Sequence, residues 1–124
     1  MLNMTKSSKA LLDNLAQFTG TERYYRINRK CVLTDGAKYL ADTAGAYWLM
    51  DAAASYLLEL GTEDWFVLVR LVVNDSKATL TLEDGNGSIR AQQDIGYTDF
   101  PLKEQIIYAC WDTEHWVLML PSEY

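Results

Sequence analysis

The spacing of apolar residues divides the chain into a helical first half and a strand-rich second half. Leu11, Leu12, Leu15 and Phe18 recur at three- and four-residue steps, which predicts an amphipathic helix over residues 6–18. Ser7 or Ser8 can cap its start, and Gly20 ends it. Residues 23–27 and 30–34 read as two short strands of a basic hairpin turning near Asn28-Arg29. Thr34 or Asp35 then caps a helix through Ala37, Tyr39, Leu40 and Ala41, which Gly45 breaks. The clearest helix covers residues 46–60. Trp48, Leu49, Ala52, Ala53, Tyr56, Leu57 and Leu60 fill one broad face, and Asp51, Ser55 and Glu59 form a polar stripe.

The period then changes from helical to alternating. Trp65, Val67, Val69, Leu71 and Val73 share one face of a strand, and Phe66, Leu68 and Val72 make the other face partly apolar around Arg70. Residues 78–83 alternate apolar and polar throughout, as a half-exposed strand does. Asp84-Gly85-Asn86-Gly87 and Asp112-Thr113-Glu114-His115 are turns, because Asn, Asp and Gly tolerate the backbone angles of tight hairpins. Residues 89–95, 105–111 and 116–120 are the remaining strands, and Pro121 stops the last one. The expectation is a single α+β domain over residues 1–124. N-terminal helices pack on an antiparallel meander of about four or five strands, with the small hairpin beside it.

Length and composition fit that picture. The 124 residues, 49% of them hydrophobic and 12% aromatic, suffice for one core. Apolar runs such as residues 66–69 and 71–73 fall far short of the ~20 needed to cross a bilayer, and residues 1–9 lack the apolar stretch of an export signal. Cys31 and Cys110 are therefore expected as reduced thiols in the cytoplasm. Charge sharpens the functional reading. Residues 1–40 hold seven Lys/Arg and three acids, whereas residues 41–124 hold four and fourteen. The net charge of −6 repels free nucleic acid and suits a basic protein surface, although it also serves solubility.

Candidate chemistry is sparse. His115, the only histidine, shares a turn with Asp112 and Glu114, where residues of this kind serve solubility. Cys31, Cys110 and His115 match no zinc spacing, and the 84–87 turn lacks the acid that would close a calcium loop. No phosphate-binding glycine motif is present, so neither metal nor cofactor is expected. Glu63-Asp64 and Glu83-Asp84 fall at strand edges or turns, not across a cleft. Asp51 would need a partner if covered, and Arg70 on the facing strand is its natural candidate.

Four stretches carry a resemblance: Asp35-Gly36-Ala37-Lys38-Tyr39-Leu40-Ala41, Ala46-Tyr47-Trp48-Leu49-Met50-Asp51-Ala52, Tyr97-Thr98-Asp99-Phe100-Pro101-Leu102, and Val117-Leu118-Met119-Leu120-Pro121-Ser122-Glu123-Tyr124. Together they resemble an uncharacterised family of small bacterial proteins met on plasmids and phages, over nearly the whole chain from about Phe18. The resemblance brings no catalytic residues. It implies an accessory gene of a mobile element, and such proteins frequently bind and disable a host machine, CRISPR effector complexes included.

The leading expectation is thus a non-enzymatic binding protein whose partner is a host protein or ribonucleoprotein complex. Its acidic and aromatic surface would comprise Tyr97, Asp99, Phe100, Asp112 and Glu114. If residues 97–102 are instead buried, they plug the end of the sheet. The runner-up is a nucleic-acid patch of Arg23, Tyr24, Arg26, Arg29 and Lys30, which could equally pair with the protein's own acids or with a second copy in a homodimer. A small enzyme comes third, since no nucleophile, base and stabiliser assemble.

Overall fold

The computed structural model describes residues 6–124, with side chains from Ser8 onward. The reading of residues 1–5, and of Ser7 as a cap, lies outside the described residues. The chain runs α1 (Lys6–Leu15), β1 (Tyr25–Arg26), β2 (Cys31–Leu33), α2 (Asp35–Ala44), α3 (Tyr47–Leu60), β3 (Phe66–Asn74), β4 (Lys77–Glu83), β5 (Ile89–Ile95), β6 (Glu104–Trp111), β7 (Trp116–Met119) and a 3-10 turn, Pro121–Glu123. The α+β class and the main elements follow the hydrophobic pattern closely.

The sheet is larger than expected, and mixed. Seven strands lie in the order β1-β2-β7-β6-β3-β4-β5, and β2 and β7 run parallel. The basic hairpin is part of this sheet: Cys31, Val32 and Leu33 pair with Trp116, Val117 and Leu118. That pairing covers the outer edge of β7, whose backbone groups would otherwise lack partners. Nor is the sheet a simple meander, because β6 adds to β3 and not to β5. The connection through residues 96–103 must cross the end of the β3–β4 hairpin. It is pinned there by the Thr98 amide donating to Ser76 O at 2.7 Å and the Val73 amide donating to Lys103 O at 2.7 Å. Along it Thr98, Phe100 and Leu102 are buried, while Tyr97, Asp99 and Pro101 face solvent.

One face of the sheet holds the core. Val67, Val69 and Leu71 of β3, Leu80 and Leu82 of β4, Ile107 and Ala109 of β6, and Trp116 and Leu118 of β7 are buried there. They form a single apolar cluster with Leu40 and Ala41 of α2 and Leu49, Met50, Ala53 and Leu57 of α3. Both α2 and α3 touch β7. The opposite face stays partly open, with Phe66, Leu68, Ile106, Tyr108, Cys110 and Met119 half-buried. Arg70 lies on this open side, pairing with Glu83 at 2.9 Å and Glu104 at 3.5 Å. An Asp51–Arg70 pair, expected only if Asp51 were covered, therefore does not form. Asp51 is exposed on α3, which packs on the core face, and it needs no partner.

The junction between β2 and α2 is fastened to the C-terminal turn and to the loop before β1. Thr34 caps α2, its hydroxyl accepting from the Ala37 amide at 3.2 Å and donating to Glu123 Oε1 at 2.6 Å. The other Glu123 oxygen accepts from the Gly36 amide at 3.1 Å, and Leu120 N donates to Oε1 at 3.0 Å. A carboxylate among free helix amides is electrostatically favourable as well. Gly36 leaves room for this contact: a methyl group there would lie 2.7 Å from the Glu123 carboxyl carbon and 2.7 Å from Leu120 Cδ1, so both side chains would have to shift. Beside it, Asp35 accepts from the Glu22 amide at 2.8 Å and from the Tyr25 hydroxyl at 3.1 Å. The Glu22 amide, aided by Tyr25 and Thr21, holds the Asp35 carboxyl below the usual carboxylate range.

The junction makes three predictions. Glu123→Ala leaves the Thr34 hydroxyl and the Gly36 amide without their acceptor, so urea unfolding should show a loss of ~1–3 kcal/mol. Gly36→Ala should lower the same midpoint, and the two losses should not add, because both act on one joint. A depressed carboxyl contributes stability above its unfolded pKa of about 3.9 and loses it as pH falls through the lower folded value. The stability difference between wild type and Asp35→Asn should therefore be full at neutral pH and shrink toward zero in strong acid.

Candidate functional site

The residues expected to form one acidic and aromatic surface are divided between the two ends of β6. Tyr97, Asp99 and Phe100 precede it, whereas Asp112 and Glu114 follow it, about 25 Å away at ~3.3 Å per strand residue. Phe100 is only 5% exposed and belongs to the core, so it anchors the crossing connection and cannot meet a partner. Tyr97 is the exposed aromatic of that segment, at 74%. Asp112 is occupied by its own turn: its Oδ1 accepts from the His115 amide at 2.6 Å and the Glu114 amide at 2.9 Å. Burial works to raise its pKa, but these amide bonds outweigh it and hold the carboxyl low.

The basic hairpin is exposed at Arg23, Tyr24, Arg26, Arg29 and Lys30. Among the described residues none of its cations makes an ion pair. Arg26 instead donates to the Arg29 carbonyl at 3.0 Å, which stiffens the turn. Tyr24 and Arg26 share a groove of about 350 Å³ with Asp112 and His115. The runner-up patch and the far half of the leading one thus meet, and an acid sits where a phosphate would have to approach.

The thiols are poor nucleophiles. Cys31 lies in the core and Cys110 on the open face, so the two are free and separated by the sheet. Burial pushes the Cys31 thiol up to about 11 and raises that of Cys110 as well. Among the described residues no three His, Cys, Asp or Glu side chains gather as a metal site. Among the described residues no helix is long and apolar enough to cross a membrane.

A different constellation stands out at the start of β3. Phe66 contacts three other rings: Trp65 at 6.0 Å, Tyr108 at 5.1 Å and Tyr124 at 5.6 Å between centroids, all edge-on. Tyr108 and Tyr124 also meet at 5.4 Å. These rings line a cleft of about 560 Å³ whose rim carries Glu63, Asp64, Asp84 and Asn86. Gly85, at φ +86°, lets the β4–β5 turn approach Phe66, and a Cβ there would lie 3.1 Å from the ring. The Asn86 amide above all, joined by that of Ser88, holds the Asp84 carboxyl below the usual range. Asp64 pairs with Arg90 of β5. Trp65 is 58% exposed and Tyr124 65%, so the cleft has large aromatic surface in contact with water.

Neither the hydrophobic pattern nor any motif singled out this cleft. Trp65 and Phe66 read as core of a strand, and the two acid pairs read as turn edges. The available signal was the adjacency of Glu63-Asp64 to two aromatics, with a glycine turn following two strands later. A second groove, of about 710 Å³, lies along Asn74, Asp75, Asp99 and Lys103. Its charges are mixed, and its aromatic, Phe100, is buried.

Residues 9–124 match the family of unknown function DUF6876. The chain belongs to this family. A crystal structure described as that of the protein of unknown function from Enterococcus faecalis is similar to this DUF6876 member, with a TM-score of 0.54. It shares 18% identity, over 80% of this chain and 93% of that one, a likeness of fold alone. No curated protein matches the chain.

The thiol environments yield a direct check. An aromatic disulfide reagent at pH 8 should leave Cys31 unmodified in the folded protein and label Cys110 slowly, while both thiols react at once in denaturant. Rapid labelling of Cys31 under native conditions would contradict its place in the core.

Proposed function

We propose that this DUF6876 protein is a non-enzymatic binding module that engages a basic protein surface through the Trp65–Phe66 cleft. The observation that carries the proposal is the coincidence, in one concave place, of exposed aromatic rings and an acidic rim. Aromatic faces attract Lys and Arg through the ring quadrupole, and nearby carboxylates add direct attraction. Trp and Tyr in such a setting are the residues that dominate binding energy at protein interfaces. The acidic balance of residues 41–124 steers a basic partner toward the same half of the chain.

In its specific form, the protein is a product of a mobile genetic element that docks on a component of a host defence complex, as an anti-CRISPR inhibitor does. This form rests on the likeness of the four sequence stretches to proteins of plasmids and phages. The cytoplasm is the compartment where such a target would be met.

Capture from host lysate, with and without nuclease, separates this reading from nucleic-acid binding. Trp65→Ala with Glu63→Lys should weaken retention of the partner at least tenfold, because an exposed aromatic anchor and its nearby charge are lost together. Arg26→Glu with Arg29→Glu should leave retention unchanged. The opposite result, or loss of the partner on nuclease treatment, would move the function to the basic hairpin.

A further inference from the structure

We infer that the Trp65–Phe66 cleft takes the guanidinium of an arginine in preference to the ammonium of a lysine. The guanidinium face stacks on an aromatic wall, and its N–H edge turns to Glu63 and Asp84. The inference rests on the reading of the cleft as a seat for a basic partner, and it specifies which basic side chain sits there.

The walls of the cleft are flat and wet. Trp65 and Tyr124 stand steeply to the half-buried Phe66 ring, at 66° and 74°, and both keep more than half of their surface exposed. A cation against such a wall stays in contact with water. An ammonium is compact and strongly hydrated, so it gains little where its water shell can be kept. A guanidinium is more weakly hydrated, and it lies flat on a ring without giving up the hydrogen bonds of its edge.

The rim favours directed contacts over net charge. Asp64 is already paired with Arg90, whose charge also acts on Asp84. Two acceptors remain. Glu63 is exposed, and among the described residues its carboxylate makes no ion pair. Asp84 Oδ1 accepts from the Asn86 amide at 2.8 Å and the Ser88 amide at 3.1 Å, so the turn fixes the carboxylate and Oδ2 keeps its lone pairs. The two acids come from different segments, the loop before β3 and the β4–β5 turn, and both line the cleft with the rings. Arginine carries its N–H donors in one plane, which suits a fixed carboxylate while the face lies on a ring. The donors of lysine radiate from one nitrogen, so an ammonium over a ring turns part of its hydrogen-bonding capacity away from the rim.

Titration of the full chain with two peptides of equal charge, tetra-arginine and tetra-lysine, tests this. The shift of the Trp65 indole is read in nitrogen-15 spectra at fixed ionic strength. Tetra-arginine should half-saturate that shift at a concentration about tenfold lower than tetra-lysine. A tetra-arginine peptide with dimethylated side chains keeps the charge but loses the N–H fork, and it should fall to the lysine value. Glu63→Gln with Asp84→Asn should erase most of the arginine advantage and leave circular dichroism unchanged, because an amide oxygen at position 84 still accepts the turn amides. Equal half-saturation by the two peptides would overturn the arginine preference while keeping the cleft as a site for basic partners. No shift of the Trp65 indole with either peptide would overturn the reading of the cleft itself, and the inference with it. An arginine preference undiminished in the double variant would overturn the assignment of the N–H edge to Glu63 and Asp84.

Discussion

The carboxylate of Glu123 is the point on which much of the molecule depends. It satisfies the Gly36 amide of α2 and its own Leu120 amide, and accepts the Thr34 hydroxyl. That one group closes the C-terminal turn against the start of α2, next to the β2–β7 pairing that adds the hairpin to the sheet. The same turn leads directly into Tyr124, whose ring then rests on Phe66 and Tyr108. A structural clasp on the core side of the chain therefore positions a wall of the cleft on the open side.

The same logic shows how many polar groups are engaged in holding turns. Asp35 holds the loop before β1, and Asp112 and Asp84 each close a hairpin turn. Arg70 is shared between Glu83 and Glu104 on the open face of the sheet. Exposed ion pairs of this type contribute about 0–1 kcal/mol, whereas truncating a buried leucine such as Leu57 or Leu71 costs ~2–5 kcal/mol. The fold is held by its single apolar face, and the charges shape turns and surface potential.

Much of this was legible in the residues. The α3 face, the alternation of β4 and the glycine turns are local signals, and the chain obeys them. A cap at Thr34 or Asp35 was legible for the same reason, because an N-cap depends on neighbours within a turn, and Thr34 is the one that serves. Features that depend on distant partners were not. Nothing local says that Cys31, Val32 and Leu33 pair in parallel with Trp116, Val117 and Leu118, so the hairpin looked separate and the strand count came out low. Residues 97–102 alternate, but alternation alone does not tell which set faces inward. It took the crossing from β5 to β6 to bury Phe100 and expose Tyr97. Arg70 was the natural partner of Asp51 only if the α3 stripe were covered, but Asp51 is exposed and Arg70 lies on the other side of the sheet. The cleft draws on residues 63–66, 84–86, 108 and 124, and no window of sequence contains it.

In the proposed binding mode a cationic side chain seats among the rings at Trp65, Phe66, Tyr108 and Tyr124. The most direct measurement is a nitrogen-15 correlation spectrum titrated with a short tetra-arginine peptide, read residue by residue. Shifts should concentrate on the Trp65 indole, Asn86, Tyr108 and Tyr124, and should vanish from those sites in Trp65→Ala. Shifts spread evenly over the acids of residues 41–124, or unaltered by the loss of Trp65, would contradict the claim.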